Sequence, residues 1–414
     1  MQPQPDMKRI LVYSHDTFGL GNIRRMLSIS THLANIDEEV SILIISGSPM
    51  LHAFRVSKRM DYVKLPSLKR TQEGDYDVNS LGLDFQETLK LRANIILSTV
   101  MDFEPDLMLV DKKPYGVANE LASSLEFLKR RVNRPKLVLL LRDILDSPKA
   151  TIPVWQKNGY YDAIESMYDR VLVVGSEQIY DLTEQYKFPG ACADLVRYCG
   201  YIRRDAEYRP RDIVRAELGV GEIPLILVTA GGGEDGDQLL GCYLDVIRRG
   251  SGLPQAKTLL ICGPEMSAKH SRGIRDVAAQ CPGVLVKEFT DDMISYMNAA
   301  DLVVSMAGYN TVCEILSLKK RAIVVPRTKP VQEQWIRAQC MSQRGLLRAI
   351  HPARLTPDCL RRAIREELTG IDRRVEGLRE VDLDGLSNIG NSITALLNQA
   401  RAPAPVHWLR RKVV

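Results

Sequence analysis

Short runs in which every residue is apolar alternate along this chain with longer stretches whose apolar residues return every three or four positions. Residues 8–13, Val40–Ile45, Leu107–Val110, Lys136–Leu141 and Val171–Val174 are runs of the first kind, and Tyr62–Leu65 is a weaker one. Continuous apolar runs of this length predict strands covered on both faces, as in a parallel sheet. Between them, Ile23–Asn35, Phe85–Asp102, Ala118–Arg131 and Trp155–Tyr168 have helical spacing, whereas the polar stretch Lys69–Leu83 predicts a loop. A short strand at Arg197–Ile202 closes this first series. A second begins at Pro224–Val228 and continues through Thr258–Cys262, Leu285–Phe289, Leu302–Met306 and Arg321–Pro326. Helices are expected at Asp291–Ala300, from Asn310 or Thr311 as N-cap, at Gln332–Arg344, at Pro357–Leu368 with Thr356 as N-cap, and at Leu383–Gln399. Strands and helices in alternation give an α/β class with two doubly wound parallel sheets.

Ligands of such sheets bind beyond the carboxyl ends of the strands, so the residues there are the candidates for chemistry. In the first half these are Ser14, His15, Asp16, the Gly19–Gly21 loop, Asp111, Lys112, Arg142, Asp143 and Ser176. The loop Gly19-Leu-Gly21-Asn22-Ile-Arg24 is not a dinucleotide fingerprint, because Arg24 stands at the third glycine and Ser46-Gly47, not an acid, follows the second strand. For a general base the candidates are His15, whose residue type titrates near neutrality, then Asp16 and Asp143. In the second half two small-residue turns sit between a strand and a helix: Gly231-Gly232-Gly233-Glu234-Asp235-Gly236, and Ala307-Gly308-Tyr309-Asn310-Thr311. Backbone N–H groups at a helix N-terminus bind phosphate. Glu314, one turn in, would repel phosphate but would accept hydrogen bonds from a ribose diol; alternatively Gly308 eases the turn and Glu314 complements the helix dipole.

The stretch from Phe289 to Gln334 resembles the donor-nucleotide site of GT-B glycosyltransferases, closest to family 28, which includes the lipid II-forming N-acetylglucosaminyltransferase. The matched positions are Phe289-Thr290-Asp291-Asp292-Met293, Ala300-Asp301, then Ser305, Gly308, Thr311 and Glu314 within the run Ser305–Glu314, Pro326 and Gln334. The resemblance covers the C-terminal half well and the N-terminal half more loosely. It implies two Rossmann-like domains facing a cleft, with an acceptor-side domain over 1–202, a hinge over 203–222, a nucleotide-sugar domain over 223–382, and residues 383–414 crossing back as a helix and basic tail. It implies that Gly232, Gly233, Gly308, Tyr309, Asn310 and Thr311 surround the donor diphosphate, that Thr290 and Met293 meet the base, that Glu314 holds the ribose, and that Gln334 holds the sugar. Gly19, Gly21, Asn22 and Arg24 would form the loop reaching toward acceptor and phosphates. Some members carry a histidine base where Asn22 stands; asparagine cannot take a proton, so that role does not transfer.

The 414 residues suffice for two domains, and 45% hydrophobic content is ordinary for globular cores. A formal charge of +5 gives no reason to expect nucleic acid as a partner. Eight scattered cysteines without a C-x-x-C pair offer neither zinc cluster nor disulfide framework. With no signal-like or membrane-spanning run, a cytoplasmic protein is expected. The tail around Trp408–Lys412 is basic with an apolar anchor, either a solvated end or a weak membrane contact. The expected activity is metal-independent, cofactor-free transfer of a sugar from a nucleotide-sugar, UDP by resemblance, to an unknown hydroxyl acceptor with inversion. Alternatives are a nucleotide-sugar hydrolase or epimerase of the same fold, or a non-catalytic nucleotide-sugar-binding partner protein.

Overall fold

The computed structural model describes residues 7–15, 21–70, 76–79, 81–203, 207–232, 235–250, 254–370 and 381–399. Two parallel sheets carry the fold. The first holds β1 (Lys8–Ser14), β2 (Val40–Ser46), β3 (Met60–Lys64), β6 (Leu107–Asp111), β7 (Lys136–Arg142), β8 (Arg170–Val174) and β9 (Val196–Tyr198), in the order β3-β2-β1-β6-β7-β8-β9; β4 (Leu68–Arg70) and β5 (Tyr76–Val78) form a separate antiparallel hairpin. The second holds β10 (Leu225–Thr229), β11 (Lys257–Ile261), β12 (Val284–Lys287), β13 (Leu302–Ser305), β14 (Arg321–Val324) and β15 (Arg348–Ala349), in the order β12-β11-β10-β13-β14-β15. The order reverses direction beside β1 in the first sheet and beside β10 in the second. These are the switch points at which doubly wound sheets open a crevice. The central strands are buried on both faces, as their unbroken apolar runs require.

Three local expectations give way to tertiary contacts. The polar stretch Lys69–Leu83 contains the β4–β5 hairpin, in which Leu68 pairs with Val78 and Arg70 with Tyr76. Its strands are three residues long, too short to leave a periodic signature. The helix expected over Ala118–Arg131 starts only at Ala122, after a turn in which Ala118 and Asn119 adopt φ of 45° and 64°. That turn carries Glu120 inward to the fully buried Arg92, which donates to it at 2.6 and 2.7 Å, while the Tyr13 hydroxyl donates to Glu120 at 2.6 Å. The stretch Trp155–Tyr168 belongs to two helices, Pro148–Lys157 and Tyr160–Met167, separated at Gly159 with φ of +62°.

The chain crosses between the sheets in two strands of backbone that pair with each other. Tyr201 N donates to Asp382 O at 2.8 Å and Arg203 N to Leu383 O at 3.1 Å. Gly200, at φ +81°, permits this: a Cβ there would stand 2.6 Å from the Asp382 carboxyl carbon. The last helix, Gly385–Leu397, then lies against the helix Gly21–Ile36. A Cβ on Gly390 would come within 2.9 Å of Ile36 and 3.0 Å of His32, so glycine sets that approach.

The expected hinge over 203–222 is shorter than its sequence. Residues from Arg209 onward are fastened to the second sheet's layer: Arg209 pairs with Asp292 at 2.8 Å, and Arg215 with Asp301 at 3.0 Å. The Asp301 carboxylate also accepts from Leu225 N at 2.8 Å and pairs with Arg211. The Trp408–Lys412 tail lies outside the described residues. No helix among the described residues is long and apolar enough to cross a membrane.

The buried Arg92–Glu120 pair yields the first test. Glu120→Ala leaves the guanidinium buried without its carboxylate, and removing one partner of such a pair destabilises by about 3–5 kcal/mol. A fall of that size in the free energy of chemical unfolding is expected, with a larger loss than for any exposed pair.

Candidate functional site

The second domain's contribution begins with strand register. β10 and β13 are neighbours, with Thr229 opposite Ser305, so their two loops leave the sheet side by side. After Thr229 the backbone turns through Gly231 at φ +70°, whose N–H donates to Thr229 Oγ1 at 3.1 Å. This loop meshes with the one after β11. A Cβ on Gly263, which has φ of +101°, would lie 2.5 Å from Gly231 O, and one on Gly232 would lie 2.7 Å from the Glu265 carboxylate. A Cβ on Gly231 would be 3.6 Å from Thr311 Oγ1, so the glycine loop stands beside the start of the helix Tyr309–Ser317. Gly233 and Glu234 lie outside the described residues; Asp235 turns to Arg327 at 3.8 Å.

That helix begins earlier than its sequence indicates. Gly308 is the N-cap, in extended conformation with φ −62° and ψ 145°, and no side chain caps the first turn. Asn310 and Thr311 therefore sit within the first turn, where they add to the N-terminal N–H groups instead of closing them off. Glu314 lies one turn further, half-buried. Tyr309, expected at the donor, opens the helix with its side chain turned inward. Its side chain is buried against the first domain, 6.1 Å from the Tyr201 ring, with the guanidiniums of Arg25 and Arg337 at 5.9 and 5.5 Å over its face. Burial pushes its phenol well above the ordinary value and keeps it neutral. Only its backbone N–H remains for a ligand.

The first domain meets this helix at the first described turn of its helix Gly21–Ile36. A Cβ on Gly21, which opens Gly21–Ile36, would be 3.8 Å from Asn310 Nδ2. Asn22 braces the preceding loop, donating from Nδ2 to His15 O at 2.8 Å and accepting from Arg25 at 3.3 Å. Arg25, not Arg24, is the buried arginine here, paired with Asp111 at 2.7 Å; Arg24 is half-buried on the neighbouring face. Arg25, Ser28, Ile202, Tyr309, Asn310 and Cys313 line a small cavity between the domains. His15 is 1% exposed; its backbone N donates to Asp111 at 3.3 Å and its Nε2 is 3.1 Å from the Tyr76 hydroxyl. Asp16 and Gly19 lie outside the described residues.

Asp143 does not suit the role of base. Both its oxygens accept from Arg337, Oδ2 from Nε and Oδ1 from Nη2, each at 2.7 Å, and both side chains are essentially fully buried. A carboxylate held in a bidentate pair, with no open approach for a hydroxyl, is a structural anchor. Its neighbour Arg142 pairs with Glu333 at 2.7 Å, and Asp146 accepts from Gln332 N at 2.8 Å. Burial raises the Glu333 carboxyl, but Arg142 and the surrounding arginines outweigh it and hold the pKa below its ordinary value of 4.5. Gln334, expected on the donor sugar, has its carbonyl oxygen on Arg327 N at 3.2 Å and is buried. Thr290 and Met293 stand beyond edge strand β12, with Thr290 Oγ1 accepting from Asp292 N at 3.0 Å. They share the carboxyl-end face with Gly308 but lie on the far side of β10.

Arg337, Glu333, Arg25 and Tyr76 escape the sequence reading. Glu333 and Arg337 are spaced i, i+4 on one helix, a spacing that surface pairs use equally, so nothing in the pattern marks them as buried. Among the described residues there is no group of three or more His, Cys, Asp or Glu able to hold a metal, and all eight cysteines are free.

The interdomain pairs give a pH test. Glu333 has a depressed pKa, so its contribution is present above about pH 4.5, the unfolded value, and is lost as pH falls through the lower native one. Thermal melts at descending pH should show a drop in stability below that range that Glu333→Gln flattens. Arg337→Leu, which strands Asp143, should destabilise at all pH values where carboxylates are charged.

Comparisons with known proteins agree with this geometry. Residues 226–384 match the glycosyltransferase family 28 C-terminal domain. The UDP-N-acetylglucosamine–N-acetylmuramyl-(pentapeptide) pyrophosphoryl-undecaprenol N-acetylglucosamine transferase of Haemophilus ducreyi is 28% identical over 160 residues, 38% of this chain and 43% of that protein. Its counterpart from Clostridioides difficile is 23% identical over 180 residues, 43% of this chain and 44% of the relative. The chain thus spans less than half the length of these curated relatives. Over nearly the whole chain, Acinetobacter baumannii MurG superposes with a TM-score of 0.62 at 13% identity, covering 94% of this chain and 99% of that one. Medicago truncatula UGT71G1, complexed with UDP-glucose, superposes with a TM-score of 0.66 at 10% identity, covering 96% of this chain and 100% of that one. The chain is a protein of the GT-B glycosyltransferase fold in which residues 226–384 match the glycosyltransferase family 28 C-terminal domain.

Proposed function

We propose that this protein transfers a sugar from a nucleoside diphosphate sugar, a UDP-sugar by analogy with its relatives, to a hydroxyl acceptor, with inversion at the anomeric carbon. The observation that carries the reading is the meeting of three backbone elements at one point. The N-terminus at Gly308–Thr311, the Gly231–Gly232 loop and Gly21 of the first domain converge where the two domains touch. The helix N-terminus at Gly308–Thr311 presents N–H groups and a positive dipole end beside a glycine loop whose lack of side chains permits close approach, which favours a diphosphate. As the bond from sugar to diphosphate breaks, negative charge grows on the departing oxygen, and fixed N–H dipoles stabilise it without reorganising. Glu314, one turn down the helix, is placed to accept hydrogen bonds from ribose hydroxyls. His15 is taken here as the base in preference to Asp143, whose carboxylate is committed to Arg337. Tyr309, Gln334 and Asn22 act here by holding the loops through side-chain contacts.

The Gly21–Asn310 approach leaves no room for a diphosphate between the two helices. Donor binding in this reading therefore requires a small separation of the domains, with the Gly200–Arg203 and Asp382–Asp384 crossing as the flexing point. Closure over the bound donor would then exclude water.

Thermal stabilisation by UDP, GDP, TDP and ADP tests the reading directly. A ligand at about 100 times its Kd adds about 2.7 kcal/mol. One diphosphate is expected to stand out, and Glu314→Ala should weaken its binding by about tenfold or more, the loss of a charge-assisted hydrogen bond to ribose. No stabilisation by any of the four would remove the reading.

A further inference from the structure

Two polar side chains at the turn that opens the helix Tyr309–Ser317 are short of partners. β13 lies between β10 and β14, so the loop after β13 stands between the loops that follow its neighbours. Arg327, just beyond β14, faces Asp235, beyond β10, and the pair spans the turn at Ala307–Gly308. The pair is loose. Its closest approach is 3.8 Å, beyond hydrogen-bond distance, Asp235 is exposed, and Arg327 Nε is buried without an acceptor. The Arg327 backbone is held, its N donating to Gln334 Oε1 at 3.2 Å. The other arginines of the cleft are better matched: Arg142 meets Glu333, Arg337 meets Asp143 and Arg25 meets Asp111, each at 2.7 Å. The field of Arg327 reaches Glu333 as well and helps to hold its carboxyl below the ordinary value, but the Glu333 oxygens lie on Arg142. The second side chain is Ser305, the last residue of β13. It is 0% exposed, and its hydroxyl has no partner among the described residues. Register sets it opposite Thr229, whose hydroxyl accepts from Gly231 N at 3.1 Å, so Ser305 lies beneath the same loops. Buried polar groups are nearly always satisfied. A hydroxyl and a guanidinium with unmet hydrogen bonds at one turn point to an acceptor from outside the chain.

We propose that Arg327 is the cation of the donor site: its guanidinium binds one phosphoryl group of the donor diphosphate while the helix N-terminus at Gly308–Thr311 binds the other. The proposal rests on the transfer reading. A guanidinium is a planar fork that matches two phosphate oxygens at once, and it is always charged. Asp235 orients the fork without using its hydrogen bonds. In transfer, the acceptor oxygen bonds to the anomeric carbon and its proton passes to the base. The bond from that carbon to the diphosphate oxygen breaks, and its electron pair stays on that oxygen. The charge that grows there meets a guanidinium already in place, so its stabilisation needs no rearrangement. Two phosphoryl groups on two separate binders make the site discriminate a nucleoside diphosphate from its monophosphate, which can reach only one of them.

The test needs no knowledge of sugar or acceptor. Calorimetric titration of the full chain is made with whichever of UDP, GDP, TDP and ADP stabilises it most, with the matching monophosphate, and with inorganic pyrophosphate. The proteins are the wild type, Arg327→Gln, Arg327→Lys and Lys329→Gln. Arg327→Gln is expected to weaken the diphosphate about tenfold or more and the monophosphate by no more than about twofold, the loss of charge-assisted hydrogen bonds to one phosphoryl group. Arg327→Lys is expected to recover part of the loss, since the charge remains without the fork. Lys329→Gln, which removes an exposed charge two residues away, is expected to change neither. Unchanged diphosphate affinity in Arg327→Gln, equal losses for diphosphate and monophosphate, or a matching loss in Lys329→Gln overturns the proposal and leaves the transfer reading intact. If the wild type binds no nucleotide, the transfer reading has failed, and pyrophosphate decides the site. Pyrophosphate binding that Arg327→Gln abolishes supports the cation site by itself; binding that is absent, or that survives Arg327→Gln, overturns it as well.

Discussion

Two crossed ion pairs fix how the halves of this molecule face each other. Arg142 and Asp143, adjacent at the end of β7, meet Glu333 and Arg337, one helical turn apart on the second domain. Neighbours on an extended chain project to opposite sides, and residues four apart on a helix lie one above the other, so the two spacings match in only one orientation. The charges alternate, so a shift in register would oppose like to like. Because Asp143 and Arg337 are withheld from water, neither is tolerable without the other, and the pair specifies an arrangement more than it adds net stability.

The remaining features at the cleft follow from that clamp. Arg337 also donates to Ala307 O at 3.1 Å, which fixes the turn that opens the helix Tyr309–Ser317. The same guanidinium lies over Tyr309, and Tyr201 packs on the ring's neighbourhood from the crossing segment. Arg25, also near the Tyr309 ring, is pinned by Asp111 at the end of β6. The neutral aromatic ring thus contacts a guanidinium from each domain. The glycine loop after β10 comes close to Thr311 because Gly231, Gly232 and Gly263 carry no side chains to keep the backbones apart. The arginines beside the Tyr309 ring are paired: Arg25 with Asp111 and Arg337 with Asp143.

The strand runs, the parallel class, the two sheets and the small-residue turn before Glu314 were legible in the sequence. Each is a local pattern with a local cause: double-sided burial makes a strand apolar at every position, and a turn onto a helix needs small or capping residues. The side-chain surroundings of Asp143 and Tyr309 were not legible, because a residue at a strand end or a helix start looks the same whether it faces a ligand or a neighbouring domain. The β4–β5 hairpin was missed because three-residue strands are set by what they cover, here Arg92's reach to Pro66 and Tyr76's contact with His15.

By itself the sequence determined which segments are strands and helices, that they alternate into two parallel sheets, and which turns expose backbone N–H groups. Those properties depend on residues within a few positions of one another. Only the tertiary structure decided which charged groups are buried against each other across the domains, which side of Tyr309 meets the cleft, and that Tyr76 stands on His15. Those contacts join residues 58 to 194 positions apart, as for Tyr201 and Arg337 on Asp143. Their energy comes from desolvation and partner geometry that exist only once the chain has closed.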